Sequence, residues 1–522
     1  MVGDGGDRAV LRRSAATLGA SCLASALVLA ASQVHQGCEW LAFVGLVPLL
    51  LVLDPGRIVE TIPALALTYG VYTSLTMSWI ARYGPGYRWI VLAAGLYGAA
   101  VLATPLALLV GLATGRREAL GRSWLILPAS WTLLEILARR TWLEVSWSLL
   151  GLPLAEWPWL ARLASVGGPE LLTFLVVASN VAIAQGLRRD SRSIVALAAG
   201  QPVVVLLVAL GWSAVDFEEA RPDAPTLRIG VVQPAVEQEW EGETEARRRA
   251  LAKLDQAIDR VVERGAELVV LPETAVTGLV RFEDDLTAWV REAVARARTP
   301  ILFGTLDGDE GSRALYNAAF LITPYNTVTS YRKTRLVPVS EHVSSLGPLR
   351  RLFFSSSVEA SELTPGTEHT VFQLRGRPRF AVMICYEDVF PDLARRFASS
   401  GAEALFALIN TIRFDGTSLP RQHLRRAVLT SASVGLPMIR CANSGVSCLI
   451  DRRGRVVDEI RGPGGRIEYV AGEAIFNLPL EPLNPPYRRF GDLLPISVMT
   501  LLVAATIGAS RVPLGRSRRK SG

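Results

Sequence analysis

The sequence predicts two structural parts: a multi-pass α-helical membrane bundle of about eight spans, and a water-soluble α/β domain. Half of the 522 residues are hydrophobic and the mean hydropathy is +0.30, both high for a soluble protein. Long uncharged runs fill the first 212 residues, and another lies near the C-terminus. We therefore expect a seven-span bundle over 1–215, a soluble domain over 225–485, and a last span with a basic tail over 488–522.

About twenty consecutive apolar residues are needed to cross a bilayer. The runs that we assign as spans are 14–32, 38–53, 58–80, 89–112, 123–138, 168–187, 193–212 and 490–509, of which the second and fifth are short. The first run has a basic start and small residues after it, so a cleavable signal peptide is the alternative to a bundle helix there.

The distribution of basic residues predicts the orientation of the bundle. If the N-terminus is cytoplasmic, the inside segments hold fifteen Lys and Arg residues and the outside loops among the first seven spans hold five. Because basic residues are enriched on the cytoplasmic side, this orientation is favoured. It places the soluble domain outside the cytoplasm and both termini inside.

The soluble part alternates short apolar runs with helical stretches, which is typical of an α/β domain. The apolar runs "LRIGVVQ", "ELVVLPET", "PILFGTL", "FAVMICYED" and "ALFALIN" suit strands that are buried on both faces. Helical stretches are expected at 242–264, 284–298 and 419–435. Glu273, Cys385 and Asn410 each end an apolar run, and catalytic groups in such domains often lie at the carboxyl ends of strands.

Glu273, Lys333 and Cys385 together form a complete set for acyl transfer. A thiol attacks as its thiolate and therefore needs a base or a positive field. None of the four histidines follows an apolar strand. A carboxylate whose pKa is raised by burial can serve as the base, and a lysine can hold the charge that develops on a carbonyl oxygen.

Each of these residues also has a purely structural interpretation. Glu273 could cap the next element, Lys333 could be a solvated strand residue, and Cys385 could be a core cysteine. The five cysteines include no CxxC pair, which indicates neither a zinc site nor a full disulfide framework. The net charge of +7 does not indicate nucleic acid, because many arginines flank hydrophobic runs and no nucleic-acid motif is present.

The order and spacing of the three residues resemble the nitrilase superfamily. "LPE" is followed 60 residues later by Lys333 and another 52 residues later by "CYE". The motif Y-x-K-x-x-L-V-P, over residues 331–338, narrows the resemblance. With seven preceding spans and one following span, nearly the whole chain is similar to the apolipoprotein N-acyltransferase family. The resemblance implies an α/β nitrilase-like fold, an αββα sandwich, for the extracytoplasmic domain.

That family moves an acyl chain from a phospholipid to the N-terminal amine of the diacylglyceryl-cysteine of apolipoproteins. The resemblance implies that Cys385 is the nucleophile, Glu273 the general base and acid, and Lys333 the oxyanion stabiliser. The positions that it assigns to site support and substrate binding are Trp240, Glu341, Tyr386, Glu387 and Asn410. It implies no metal or organic cofactor, and a monomer in the bacterial inner membrane with its catalytic domain in the periplasm.

Two loops depart from the family pattern. "LVPVSE" has Val339 and Ser340 where "LVPFGE" is usual, and "NTIRFDG" has Thr411 and Arg413 where "NDAWFG" is usual. Because these changes lie in loops around the pocket and not in the triad, we expect them to bear on substrate preference more than on chemistry. A membrane-tethered amidase that passes the acyl group to water has the same triad and remains an alternative, as does a catalytically inactive scaffold or transporter-like protein.

The segment "EHVSSLGPLRRLFFSSS" (341–357) lies between the lysine and the cysteine in sequence. Its leucines, phenylalanines and arginines fit either a short amphipathic helix that packs on the domain or a mobile lid at the pocket mouth.

Overall fold

The computed structural model describes residues 15–53, 57–84, 87–107, 126–141, 147–188, 192–214, 226–236, 244–338, 340–342 and 362–511. The N-terminal bundle lies within the first six of these ranges. Its helices are α1 (Ala15–Val34), α2 (Val47–Val52), α3 (Ile58–Thr76), α4 (Tyr87–Gly98), α5 (Ile126–Ala138), α6 (Pro158–Ala161), α7 (Ala164–Gly167), α8 (Glu170–Leu187) and α9 (Arg192–Ala214).

Among the described helices, four rather than eight are long and apolar enough to cross a membrane. They are Ala15–Val34, Tyr87–Ala107, Glu170–Leu187 and Val195–Trp212. The prediction of eight spans is wrong by this measure. Run 38–53 forms a 3-10 turn followed by the six-residue α2, and α3 is diluted by threonine and tyrosine residues. The described parts of the fifth and eighth runs form shorter apolar helices.

The soluble domain follows the expected alternation. Its helices are α10 (Thr244–Glu263), α11 (Asp284–Ala297), α12 (Pro391–Ser399), α13 (Leu419–Val434) and α14 (Pro486–Phe490), before the last apolar helix, α15 (Leu493–Arg511). Its strands are β1 (Thr226–Gln233), β2 (Leu268–Val270), β3 (Ile301–Gly308), β4 (Leu315–Ile322), β5 (Val328–Arg332), β6 (Val371–Gln373), β7 (Arg379–Ile384), β8 (Ala404–Ile409), β9 (Met438–Ala442), β10 (Cys448–Ile450), β11 (Val456–Glu459) and β12 (Gly472–Pro479).

The strands form two six-stranded sheets, ordered β12-β1-β2-β3-β4-β5 and β11-β10-β9-β8-β7-β6. Each sheet has a parallel centre, β1-β2-β3 in one and β7-β8-β9 in the other, with antiparallel strands outside it. The sheets pack face to face, since the Cys441 thiol of β9 lies 3.4 Å from the carbonyl oxygens of Val232 and Val270. Helices α10 and α11 cover the first sheet, whereas α12 and α13 lie on the second. The domain is thus an αββα sandwich.

Helix α13 joins the sandwich to the N-terminal bundle. Its polar side chains Gln422, His423, Arg425 and Arg426 are all buried. Arg425 donates hydrogen bonds to Glu39 (2.7 Å), Glu156 (2.7 Å) and the backbone oxygen of Gln33 (2.9 Å), all in the bundle. Because a buried charge is tolerated only when it is paired, this contact fixes how the two parts meet.

Replacing Arg425 with alanine should therefore separate the two parts more easily. The change leaves the buried Glu39 carboxylate without its cation, and breaking such a pair typically costs about 3–5 kcal/mol. Thermal unfolding of the full chain in detergent measures this as a fall in Tm. The matched control is Arg421→Ala, because Arg421 is 25% exposed and lies 3.4 Å from Glu156, so that its loss should change Tm little. Equal Tm values for Arg425→Ala and the control would contradict the assignment.

Candidate active site

The three predicted residues lie close together, at the carboxyl ends of β2 and β7 and at the end of β5. Glu273 follows β2, Lys333 follows β5, and Cys385 follows β7 directly. Asn410 follows β8, which pairs with β7 so that Ile384 lies opposite Leu408. The Cys385 thiol donates a hydrogen bond to Glu273, and the Lys333 ammonium lies 3.7 Å from the Glu273 carboxylate.

The backbone leaves its strands abruptly beside two of these residues. Cys385 has φ of +50° and Thr274, next to Glu273, has φ of +48°. Both values lie in the left-handed region, which costs a residue with a Cβ atom about 1–2 kcal/mol. On β3, Gly304 lets the Glu273 backbone approach, since a Cβ atom there would lie 2.7 Å from the Glu273 Cα. The fold therefore holds both side chains by backbone geometry that isolated strands avoid.

The Lys333 ammonium is buried between two carboxylates. Its Nζ lies 2.8 Å from Glu341 Oε1 and 3.7 Å from Glu273 Oε1, and its side chain is fully buried. Burial alone opposes the charged form, but Glu341 and Glu273 raise the pKa of Lys333 above its ordinary value. Lys333 is therefore a fixed positive charge at neutral pH and does not serve as a proton carrier.

Asn317 also binds both carboxylates, although sequence reasoning missed this residue. Its Nδ2 donates to Glu273 Oε1 (2.8 Å) and to Glu341 Oε1 (3.2 Å). Burial raises the pKa of Glu273, and the nearby Glu341 carboxylate raises it further. Lys333 and the hydrogen bond from Asn317 both act to lower this pKa. A buried carboxyl with a raised pKa is suited to accept and return a proton near neutral pH.

The Cys385 thiol is partly buried and is protonated at rest. Burial and the neighbouring Glu273 carboxylate raise the pKa of Cys385, whereas Lys333 and the backbone N–H of Asn410 oppose that rise. A nucleophilic role for this thiol therefore requires that it lose its proton to a neighbour as it attacks. Glu273 is the group in contact with it that can accept this proton.

Glu387 ties the lysine loop to the cysteine strand. Its Oε1 accepts hydrogen bonds from Tyr331 Oη (2.6 Å), Thr334 N (2.8 Å), Thr334 Oγ1 (2.9 Å) and Arg335 N (3.1 Å). Its Oε2 accepts one from Ile384 N (2.8 Å). Since Lys333 precedes Thr334 and Ile384 precedes Cys385, one carboxylate sets the separation of Lys333 and Cys385. This gives the supporting residue Glu387 a physical role.

Tyr386 faces the bundle. Its ring stacks on Trp147 at a centroid distance of 6.0 Å and meets Phe390 edge-on at 4.8 Å. Tyr83, in a 3-10 turn of the bundle, hydrogen-bonds Ser340 and lies close enough to Cys385 to interact electrostatically with it. The bundle therefore forms part of the site, and Ser340, one of the departures from the family pattern, contacts it.

A second missed group lies behind the cysteine. His423 of α13 contacts the Cys385 carbonyl oxygen (3.3 Å) and Asp388 Oδ1 (2.5 Å), and Asp388 Oδ2 accepts from Arg440 Nε (3.2 Å). No sequence pattern pointed to His423, because this residue lies in a helix and not after a strand. Asn317 did carry a signal, as a polar residue inside the apolar strand "LYNAAFLI".

Trp240, Val339 and residues 343–357 of the proposed lid segment lie outside the described residues. Within the described ranges, no group of three or more histidine, cysteine, aspartate or glutamate side chains is suited to hold a metal ion. The chemistry that the described side chains can perform is acyl transfer through a thiol, with a carboxyl as proton carrier and an ammonium beside the reacting atoms.

Comparisons with known proteins identify the families that the two parts of the chain resemble. A family model described as Carbon-nitrogen hydrolase matches residues 228–465, and one described as Apolipoprotein N-acyltransferase N-terminal domain matches residues 25–182. The carbon-nitrogen hydrolase match confirms the nitrilase-like fold that was expected for the soluble domain.

Relatives match along most of the chain. An apolipoprotein N-acyltransferase from Bordetella bronchiseptica is 31% identical in an alignment that covers 74% of this chain and 73% of the length of the relative. Another, from Gloeobacter violaceus, is 26% identical in an alignment that covers 99% of this chain and 98% of the length of the relative. A solved amidase of the nitrilase superfamily from Nesterenkonia covers 49% of this chain and 92% of its own, with 19% identity and a TM-score of 0.37.

Asn317→Leu should shift the acid limb of the pH–rate profile for Cys385 acylation to higher pH. Donation from Asn317 favours the ionised form of Glu273, so its loss raises the pKa of Glu273 further and the base is protonated over a wider acid range. The measurement is the rate of Cys385 acylation by p-nitrophenyl butyrate as a function of pH. Asn477→Leu, at an exposed position on β12, is the matched control. An acid limb that stays in place in Asn317→Leu would show that this hydrogen bond does not tune the base.

Proposed function

Since the chain belongs to the apolipoprotein N-acyltransferase family, we propose that it transfers an acyl chain from a phospholipid to the N-terminal amine of diacylglyceryl-modified apolipoproteins. The transfer runs through a thioester on Cys385 in two successive steps. The observation that carries this proposal is the contact of one thiol with one carboxyl of raised pKa, beside an ammonium that is buried and paired.

In the first step, Glu273 takes the Cys385 proton as the sulfur attacks an ester carbonyl carbon of the phospholipid. The carbonyl oxygen becomes an oxyanion, which the Lys333 ammonium stabilises. When the intermediate collapses, the carbon–oxygen ester bond breaks and Glu273 returns the proton to the departing lysophospholipid alkoxide. The acyl group remains on Cys385 as a thioester.

In the second step, the neutral α-amine of the lipoprotein attacks the thioester carbonyl. Glu273 accepts the proton that the amine nitrogen loses as the carbon–nitrogen bond forms. The carbon–sulfur bond then breaks, and Glu273 returns that proton to the Cys385 thiolate. The enzyme is restored with an amide as product. A fixed ammonium suits both steps because each one generates an oxyanion at the same place.

The N-terminal bundle gives this chemistry access to lipids. Both substrates carry acyl chains, and their extraction into water would cost about 0.8 kcal/mol per CH₂ group. Four described helices are long and apolar enough to span a membrane, and Tyr83 and Trp147 of the bundle lie against the site. We propose that the chain resides in a bacterial inner membrane as a monomer, with residues 225–485 in the periplasm and both termini in the cytoplasm. In this orientation an odd number of helices crosses the membrane before residue 225, and the shorter apolar helix Leu493–Gly508 crosses it after residue 485.

The proposal is tested by giving the purified full chain a phospholipid with a labelled acyl chain, with or without a synthetic diacylglyceryl lipopeptide. We expect the label to appear as an amide on the lipopeptide, and free labelled fatty acid to stay a minor product. Release of the label mainly as free fatty acid in the presence of the lipopeptide would instead establish the amidase-like alternative, in which water accepts the acyl group.

Cys385→Ser should abolish transfer in the same assay, because a hydroxyl is a much weaker nucleophile than the thiolate in this setting. Cys448→Ser is the matched control, since Cys448 is fully buried in β10 of the same sheet and burial raises its pKa to about 12. The control should retain transfer. Full activity in Cys385→Ser, with the chain folded, would exclude Cys385 as the nucleophile.

A further inference from the structure

His423 contacts the backbone of the nucleophile, not its thiol. Its Nε2 atom lies 3.3 Å from the carbonyl oxygen of Cys385 and 2.5 Å from Asp388 Oδ1. Both neighbours are acceptors, so this nitrogen must carry a proton whatever the charge of the ring. His423 therefore shares this one N–H between Asp388 Oδ1 and, at the longer distance, the Cys385 carbonyl oxygen.

The donor is held from several sides. Asp388 and Arg440 are fully buried, and Arg440 Nε donates to the second oxygen of Asp388 at 3.2 Å. Trp147 of the bundle packs edge-on against the imidazole at a centroid distance of 5.6 Å. A buried hydrogen-bond chain of this kind has little freedom to reorient, so the imidazole presents Nε2 to the Cys385 carbonyl in a fixed direction.

This contact determines which way the next peptide N–H points. The bond between Cys385 and Tyr386 is trans, and in a planar trans peptide the C=O and the N–H point in opposite directions. The Cys385 carbonyl faces α13, on the outer face of the second sheet. The Tyr386 N–H therefore faces the opposite side, where Glu273 and Lys333 reach in from the first sheet.

We infer that His423 is a positioning residue that holds the Cys385–Tyr386 peptide so that the Tyr386 N–H donates to the oxyanion, opposite the Lys333 ammonium. The inference rests on Cys385 being the nucleophile of the proposed function. The inference also accounts for the strained backbone at Cys385, because a φ of +50° there needs surrounding contacts that hold it. His423 and Asp388 supply such contacts at the carbonyl of the same residue.

Two variants separate the hydrogen bond from simple packing. In His423→Gln the amide Nε2 can donate from nearly the same position as the imidazole Nε2. In His423→Phe the ring still packs against Trp147 but has no donor. Loss of one oxyanion donor typically costs about 10²–10³-fold in rate, so a misdirected donor should slow acylation by roughly tenfold or more.

The readouts are two reactions of Cys385 in the full chain. Acylation by p-nitrophenyl butyrate passes through an oxyanion, whereas alkylation by iodoacetamide does not. We expect His423→Phe to lose roughly tenfold or more in the maximal acylation rate with little change in KM and an unchanged alkylation rate. His423→Gln should recover most of the acylation rate.

Three results would overturn the inference. The first is an unchanged acylation rate in His423→Phe, and the second is an equal loss of acylation and alkylation in that variant. The third is a higher acylation rate in His423→Phe than in His423→Gln. Failure of the proposed function would look different. A wild-type protein that is acylated by the ester on Cys385, but transfers nothing from phospholipid, would refute the phospholipid step and still give a clear answer for His423.

Discussion

The buried ammonium of Lys333 is the charge around which the site is arranged. A fully buried cation is costly unless it is paired, and here it lies 2.8 Å from Glu341 and 3.7 Å from Glu273. Because Glu341 accepts the close contact, Glu273 does not have to neutralise the ammonium alone and stays available to the Cys385 thiol. In the proposed mechanism, Glu341 pairs with the ammonium, and this pairing leaves Glu273 able to carry protons.

This arrangement needs two sheets held at a fixed separation. Glu273 and Lys333 come from the first sheet and Cys385 from the second, so any sliding of the sheets would break the cluster. Glu387 prevents this locally, since its carboxylate binds the backbone on both sides of the gap. Helix α13 extends the constraint to the bundle. Arg425 of this helix binds Glu39 and Glu156, and His423 of the same helix binds the Cys385 carbonyl oxygen.

Much of the domain could be predicted because local sequence and fold agree. The apolar runs that end in Glu273, Cys385 and Asn410 form strands β2, β7 and β8, and the three helical stretches form α10, α11 and α13. Runs of hydrophobic residues predicted the bundle less well, because hydropathy does not show where a helix is interrupted. The run 38–53, for example, is interrupted by a 3-10 turn. Nor could sequence predict the partners of α13. His423 reaches Cys385 through the packing of a helix on a sheet, and a pattern along one chain segment carries no trace of that contact.

In the proposed mechanism, a thioester on Cys385 links the two half-reactions. The most direct measurement is mass spectrometry of the full chain after incubation with an acyl-labelled phospholipid and no acceptor. We expect one labelled acyl group on the peptide that contains Cys385. Hydroxylamine should remove this group, and a diacylglyceryl lipopeptide should accept it when one is added. Label on another residue, or acyl transfer to the lipopeptide by an enzyme that never carries the label, would contradict this mechanism.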